Sequence, residues 1–204
     1  MKLYMIRHGE TDWNKAKRVQ GRADVPINAY GRELAKKTAE GLCKVPFDLA
    51  YTSPLCRAKE TAQIILRGKR IPLLDESQIQ EISFGDYEGM VYRGENLDPH
   101  SVEFVKFFDD TANYRPKGKG ESIQELMERT GAFLQSLYEK EELQDKTILL
   151  STHGAAVTAM KNCIKQEWDP TKFWKMGVPK NCAVTIVEVK KGVPKILEED
   201  RLYY

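Results

Sequence analysis

The sequence predicts an α/β protein, a three-layer α/β/α sandwich with a mainly parallel central sheet. Short apolar runs of strand length recur along the 204 residues, and segments with helical spacing of apolar side chains separate them. Strand alternating with helix is the pattern of a parallel sheet covered on both faces. Between residues 68 and 120 that rhythm breaks, and Gly and Pro become frequent. That stretch reads as a small insertion over the core rather than as a linker.

Taken in order, Lys2–Ile6 reads as a short buried strand. Residues 26–31 turn into a helix over Arg32–Leu42, with Leu34, Ala35, Thr38, Ala39 and Leu42 on one face. Asp48–Thr52 is a second strand. Ser53-Pro54 then opens a helix, serine as its cap and proline in its first turn. That helix reaches about Leu66, with Leu55, Ala58, Ala62, Ile65 and Leu66 inward. Within the insertion, placed at about 84–120, Phe104, Phe107 and Phe108 lie on a short helix. Ser122–Tyr138 is a long helix, Thr147–Ser151 a strand, and Gly154–Cys163 the next helix. Cys182–Val189 is β-branched and partly alternating, a strand near a sheet edge or return. Residues 1–204 read as one domain long enough to bury a substantial core.

Composition narrows the function. No apolar stretch is long enough to span a bilayer. The first apolar run is cut by Arg7 and His8, too early for a signal peptide. Cys43, Cys56, Cys163 and Cys182 are scattered and form no Cys-x-x-Cys pair. That spacing argues against a zinc site and against a disulfide framework, so cytoplasmic residence is expected. Residues 1–70 hold 15 Lys/Arg against 7 Asp/Glu, whereas residues 75–145 hold 7 against 17. A basic first third suits an anionic ligand. Nucleic acid is a poor choice, because no aromatics interleave with the basic residues and no binding motif is present.

Ligands of open α/β folds gather at the carboxyl ends of the strands. Three strand ends here carry related chemistry. The first supplies Arg7-His8-Gly9, the second Ser53-Pro54-Leu55-Cys56-Arg57, and a later one Ser151-Thr152-His153-Gly154. Arginine pairs with phosphate oxygens through parallel hydrogen bonds. Gly9 lets backbone approach a ligand closely, and His8 is a nucleophile if held neutral. The helices that follow offer free N–H groups and a favourable dipole to an anion. A lone buried histidine is usually structural, and Arg57 alone could be a surface residue. Two of the three histidines, however, stand between a β-run and a glycine. His100, after Asp98-Pro99, reads as a solvated loop residue.

Two other motifs fail. Cys56 beside Arg57 invites a cysteine-phosphatase reading, but that chemistry needs arginine six positions after the cysteine, and position 62 is Ala62. Gly89-x4-Gly94 starts like a phosphate-binding loop, yet Glu95 and Asn96 stand where Lys and Ser/Thr belong.

The stretches RHGETDWN (7–14), VQGRADVPINAYGRELA (19–35), YTSPLCRAKETA (51–62), EISFGDYEG (81–89), GES (120–122) and STHG (151–154) together resemble the histidine phosphatase superfamily, the phosphoglycerate-mutase-like group. The resemblance implies that His8 takes a phosphoryl group and passes it to water. It implies that Arg7, Arg57 and His153 bind the equatorial oxygens, with Asn14, Gln20 and the Gly21 backbone also reaching the phosphate. Adjacent Arg7 and Arg57 are expected to keep His8 unprotonated. Glu81 would protonate the leaving alcohol and then activate water. Glu88 is the weaker candidate for that role and reads as structural. No metal and no cofactor are implied, since arginines supply the positive charge, and no Asp/His cluster for two metals is evident. The implied ligand is a small phosphorylated metabolite; the oligomeric state is not fixed.

Within the group the chain resembles the phosphatase branch, through its short length and the stretch Arg18-Val19-Gln20-Gly21-Arg22. The alternatives are a phosphoglycerate mutase and, in another class, a non-catalytic phosphoryl-binding module. Phosphosugars, phosphoglycerates, a nucleotide-loop precursor phosphate and phosphoserine are all open as substrates. Specificity is expected from residues 84–120, including Tyr87, Tyr92, Phe104, Phe107, Phe108 and Tyr114, most of them read as core of the insertion. Lys117 and Lys119 are placed near the mouth, as solvated loop charge or as contacts for a second anionic group.

Overall fold

A computed structural model describes residues 1–204. Its centre is a six-stranded sheet built from β1 (Lys2–Arg7), β2 (Leu49–Thr52), β3 (Leu73–Asp75), β4 (Thr147–Thr152), β5 (Val184–Lys190) and β6 (Val193–Arg201). The spatial order is β3-β2-β4-β1-β5-β6. The first four strands run parallel, while β5 pairs antiparallel with β1 and β6 antiparallel with β5. The expected mainly parallel sheet is therefore present, with an antiparallel return at one side.

The helices are α1 (Asp12–Lys15), α2 (Ala29–Gly41), α3 (Cys56–Ile65), α4 (Lys106–Asp109), α5 (Ile123–Tyr138) and α6 (Gly154–Lys165). Side chains alternate across the strands and so feed two cores. Ile6, Ala50, Leu149 and Val184 face α2 and α3, meeting Leu34, Ala35, Ala62 and Ile65. Leu3, Met5, Ile148 and Leu150 face α5 and α6, meeting Phe133, Leu137, Val157 and Met160. These are the three layers that the alternating pattern implies.

Several boundaries differ from the sequence reading. Helix α2 starts at Ala29, three residues early, because the Asn28 side chain accepts from the Gly31 N–H at 2.8 Å and caps it. Helix α3 starts only at Cys56. Leu55 stands at its cap position without a side-chain bond, so Ser53 is not its cap. Helix α5 begins after Ser122, whose hydroxyl and backbone form a reciprocal capping box with Glu125. Helix α1 and strands β3 and β6 have no counterpart in the sequence reading. Residues 85–87, 99–109 and 111–113 form short helical turns, and the aromatic side chains of this segment build a third cluster against α5 and α6. Phe84, Tyr87, Phe104, Phe107 and Tyr114 are all buried there.

Candidate active site

The residues singled out in the sequence meet at the carboxyl end of the parallel strands. Register explains why. β1 and β4 are neighbours with Arg7 opposite Thr152, so His8 and His153 follow side by side. Their ring centroids lie 5.2 Å apart, and both side chains are almost wholly buried. Strand β2 pairs with the other edge of β4 and delivers Ser53 to the same end. The Ser53 hydroxyl lies 2.8 Å from His153 Nε2.

The hydrogen bonds of His8 define its chemistry. Nδ1 lies 2.6 Å from the Gly9 carbonyl oxygen. A carbonyl can only accept, so Nδ1 carries the proton and Nε2 keeps its lone pair. Burial holds the His8 pKa well below the ordinary imidazole value, and the charges of Arg57 and Arg7 push it the same way. The arginines expected to keep His8 neutral are thus the lesser cause, and burial is the larger. His153 is lowered for the same reasons, burial first and then Arg57.

Arg57 is wholly buried on the first turn of α3. Its Nη1 donates to the Ala23 carbonyl at 2.7 Å and its Nη2 to the Gly21 carbonyl at 2.6 Å. Burial brings its pKa down to about 10, which leaves it a cation at neutral pH. Arg7 Nη1 donates to the Pro179 carbonyl. Arg7 Nε, Arg57 Nε and His153 Nδ1 are buried without a protein partner. Buried donors are normally satisfied, so the two arginine N–H groups are free to bind an oxyanion, and His153 Nδ1 joins them as a donor when its Nε2 accepts from the Ser53 hydroxyl.

The helix N-termini do not serve the anion as expected. The Cys56 N–H donates to Asp24 Oδ1 at 2.7 Å. The Ala155 and Ala156 N–H groups donate to the two oxygens of Glu81, each at 3.2 Å. Both helix starts are thus taken by carboxylates, and guanidinium groups carry the positive charge. A third donor to Glu81 is its neighbour, the Ile82 N–H at 3.1 Å. Arg129 fixes the loop behind it, donating to the carbonyls of Gln78, Gln80 and Glu81 while paired with Glu121 at 2.6 Å.

Asn14 and Gln20 are tied to Thr11. The Thr11 N–H donates to Asn14 Oδ1 at 3.1 Å, and the Thr11 hydroxyl lies 2.9 Å from Gln20 Oε1. Asn14, Gln20, Gly21, Arg7 and Glu81 all line one cavity of about 490 Å³. The Gly21 carbonyl is already engaged by Arg57, so this residue positions the arginine. Gly21 has a positive φ of 52°, and a Cβ there would lie 2.1 Å from Glu88 Oε1. Glu88 is structural as read, accepting from the Arg22 and Phe84 N–H groups. A Cβ on Gly9 would lie 2.6 Å from the Gly31 carbonyl oxygen, so its smallness also admits α2.

Sequence reasoning misses Asn181 and Trp174. Asn181 donates to the His8 carbonyl at 3.0 Å and to Asn14 Oδ1 at 3.3 Å, directly before β5. Because β5 is antiparallel to β1, its start lies at the same sheet end as His8. Asn181 and Trp174 line the cavity, and so do Lys15, Lys17 and Arg18, whereas Lys117 and Lys119 do not. The expected position of those two lysines at the mouth is corrected accordingly. Lys117 sits over the Tyr87 ring instead, 5.7 Å from its centroid. His100 is exposed, as read, but lies on the short helical turn Pro99–Val105 rather than in a loop, and it does not line the cavity. No three His, Cys, Asp or Glu side chains gather as metal ligands. No helix is long and apolar enough to cross a membrane.

Known proteins resemble this chain in sequence and in fold. The chain is 35% identical over 156 residues to an uncharacterized phosphatase, PhoE, of Bacillus subtilis (strain 168), covering 76% of this chain and 73% of that one. It is 33% identical over 164 residues to a 2,3-bisphosphoglycerate-dependent phosphoglycerate mutase of Gloeobacter violaceus, covering 78% and 73%. Among solved structures, Bacillus stearothermophilus YhfR superposes with a TM-score of 0.89 at 30% identity, covering 99% of this chain and 98% of that one. The family model of the histidine phosphatase superfamily (branch 1) matches residues 3–200. The chain belongs to the histidine phosphatase superfamily, branch 1.

Proposed function

We propose that the protein is a metal-independent phosphatase that hydrolyses small-molecule phosphate monoesters through a phosphohistidine on His8. The observation that carries this reading is the His8 Nδ1 bond to the Gly9 carbonyl, which leaves Nε2 as a buried lone pair beside two guanidinium groups. In the first displacement the Nε2 lone pair forms an N–P bond while the P–O bond to the alcohol breaks. The carboxylic acid of Glu81 gives its proton to the departing oxygen. In the second, a water oxygen attacks phosphorus, Glu81 takes the water's proton, and the N–P electron pair returns to Nε2. Arg7, Arg57 and His153 donate to the equatorial oxygens, where charge accumulates in both transition states. Asn14, and Gln20 through its amide, complete the polar floor.

Incubation with a radiolabelled phosphoester, quenched in acid and in base, tests the intermediate. A base-stable, acid-labile label on the wild-type chain, absent from His8→Ala, is the expected result. Label on His8→Ala would refute the role of His8. The mutase alternative is separated by supplying 3-phosphoglycerate. Release of inorganic phosphate is expected to outrun interconversion with 2-phosphoglycerate, and the reverse order favours the mutase. Binding of phosphoesters without any turnover favours the non-catalytic module.

A further inference from the structure

Of the proposed phosphoryl machinery, Arg7, Asn14, Gln20 and Glu81 line the cavity, whereas His8, Arg57 and His153 are buried and do not, and the rest of the lining is unexplained. At about 490 Å³ the cavity is of a size that holds a whole small molecule rather than an ion alone. One wall is aromatic. Tyr92, Phe108 and Trp174 are half-buried and line it, backed by buried Phe104 and Phe107. The wall is held in place before any ligand arrives. Trp174 Nε1 donates to the Phe107 carbonyl at 2.7 Å, and the Tyr92 and Phe108 rings stack at 25° with centroids 5.6 Å apart. Packing alone does not require this exposure, since Tyr87 and Tyr114 of the same cluster are buried and do not reach the cavity.

Another side of the cavity is cationic. Lys15, Lys17 and Arg18 line it. Lys15 and Lys17 are exposed and join none of the ion pairs, whereas Lys36, Lys59 and Lys106 do. The Tyr92 N–H donates to the Lys17 carbonyl at 3.0 Å, which sets that lysine beside the aromatic wall. The one carboxylate nearby outside the floor, Glu10, accepts from Asn28. An aromatic wall can also cage a quaternary ammonium group. Here Arg93 already lies over the Tyr92 and Phe108 rings, at 5.9 and 5.7 Å, so that use is taken. Lys15, Lys17 and Arg18 would repel a second cation as well.

We infer that, given the phosphatase reading above, the preferred substrate is a phosphomonoester whose alcohol carries a planar aromatic body with a second anionic group. The ring lies against Trp174, the part of the wall that Arg93 does not cover, and the anion faces Lys15 and Lys17. The test compares propyl phosphate, 3-phenylpropyl phosphate, its para-carboxylate and phosphocholine on the whole chain. The first three leave as similar primary alcohols, so leaving-group chemistry does not separate them. The expected result is a rise in kcat/KM of about tenfold from propyl to phenylpropyl, as burial of a ring provides, and a further rise of roughly threefold for the carboxylate. The first ratio should shrink in Trp174→Leu and the second in the double variant Lys15→Ala/Lys17→Ala. Ratios within one variant cancel any general loss of folding or catalysis. Equal rates for propyl and phenylpropyl phosphate, a preference for phosphocholine, or ratios that survive these substitutions would overturn the inference. Should no ester be hydrolysed, the phosphatase reading fails by itself. Calorimetric affinities for the same four esters then decide the pocket, with the same ranking expected and equal affinities overturning it.

Discussion

Arg129 Nη2 donates to the main-chain carbonyl of Glu81 at 3.1 Å. The same guanidinium takes the carbonyls of Gln78 and Gln80, so one side chain fixes the loop that presents the proposed proton donor. Its charge is balanced by Glu121, at 2.6 Å and little exposed. Arg129 does not line the site cavity and acts by positioning. Arg129→Lys keeps the charge but cannot reach three carbonyls and a carboxylate at once. We expect kcat/KM to fall by about 10- to 100-fold, the scale on which small misplacements act. The fall should be larger for esters of poor leaving alcohols than for aryl esters, because only the former need the Glu81 proton. An equal loss for both classes would mean that Arg129 serves folding alone.

The two buried histidines give stability a pH dependence of known sign. In the unfolded chain each takes up a proton near pH 6.5. In the folded chain both are held well below that value, chiefly by burial. Below about pH 6.5 the unfolded state therefore binds more protons, and stability falls as pH falls. Above that pH their contribution is complete. Each histidine adds a slope of up to about 1.4 kcal/mol per pH unit. Urea unfolding at several pH values between about 7.5 and 5 measures the slope. His8→Gln should flatten it by about one proton's worth, and an unchanged slope would contradict the neutral, buried state of His8.

Close backbone packing beneath the nucleophile leads to a third expectation. A Cβ on Gly31 would lie 2.2 Å from the Glu10 carbonyl oxygen, and backbone cannot yield as a flexible side chain does. Gly31 lies in α2, where alanine is ordinarily the better helix former by roughly 1 kcal/mol. We expect Gly31→Ala to destabilise nevertheless, by about 1–3 kcal/mol, the usual cost of overpacking. At Gly68, by contrast, an added Cβ would meet nothing within 4 Å, so no such clash arises there. A Gly31→Ala chain as stable as wild type in urea would refute the clash.

What the sequence makes legible follows from which interactions are local. Strands β1 and β4 are covered on both faces, so their apolar runs are unbroken and easy to read. Helix α5 is legible because Ile123, Leu126, Met127, Thr130, Phe133, Leu134 and Leu137 recur at helical spacing and are all buried on one face. Strand β6 is an edge strand with its residues half-buried or exposed, and Glu198, Glu199 and Asp200 interrupt any alternation. Helix starts α3 and α6 are closed by Asp24 and Glu81, carboxylates 32 and 74 residues away in the chain. No local pattern announces such a partner. Asn181 is hidden for a different reason. A functional strand end is sought after a strand, and Asn181 stands before one; only the antiparallel direction of β5 brings it to His8.

The unpartnered donors of the site make anion binding itself a measurable property. Arg7 Nε, Arg57 Nε and His153 Nδ1 lack acceptors, and a phosphate offers acceptor oxygens to all three. A ligand that binds only the folded chain stabilises it by about 2.7 kcal/mol at a hundred times its dissociation constant. Inorganic phosphate should therefore raise the melting temperature with a logarithmic dependence on concentration, and sodium chloride of equal ionic strength should not. Arg57→Lys removes the planar fork that holds the Gly21 and Ala23 carbonyls and leaves Nε free for an anion. It should lose most of the phosphate effect. Arg32→Lys, which touches the exposed pair with Glu60 alone, should keep it. A phosphate shift that survives in Arg57→Lys would place the anion away from the histidine pair and would separate the donor cluster from the binding site.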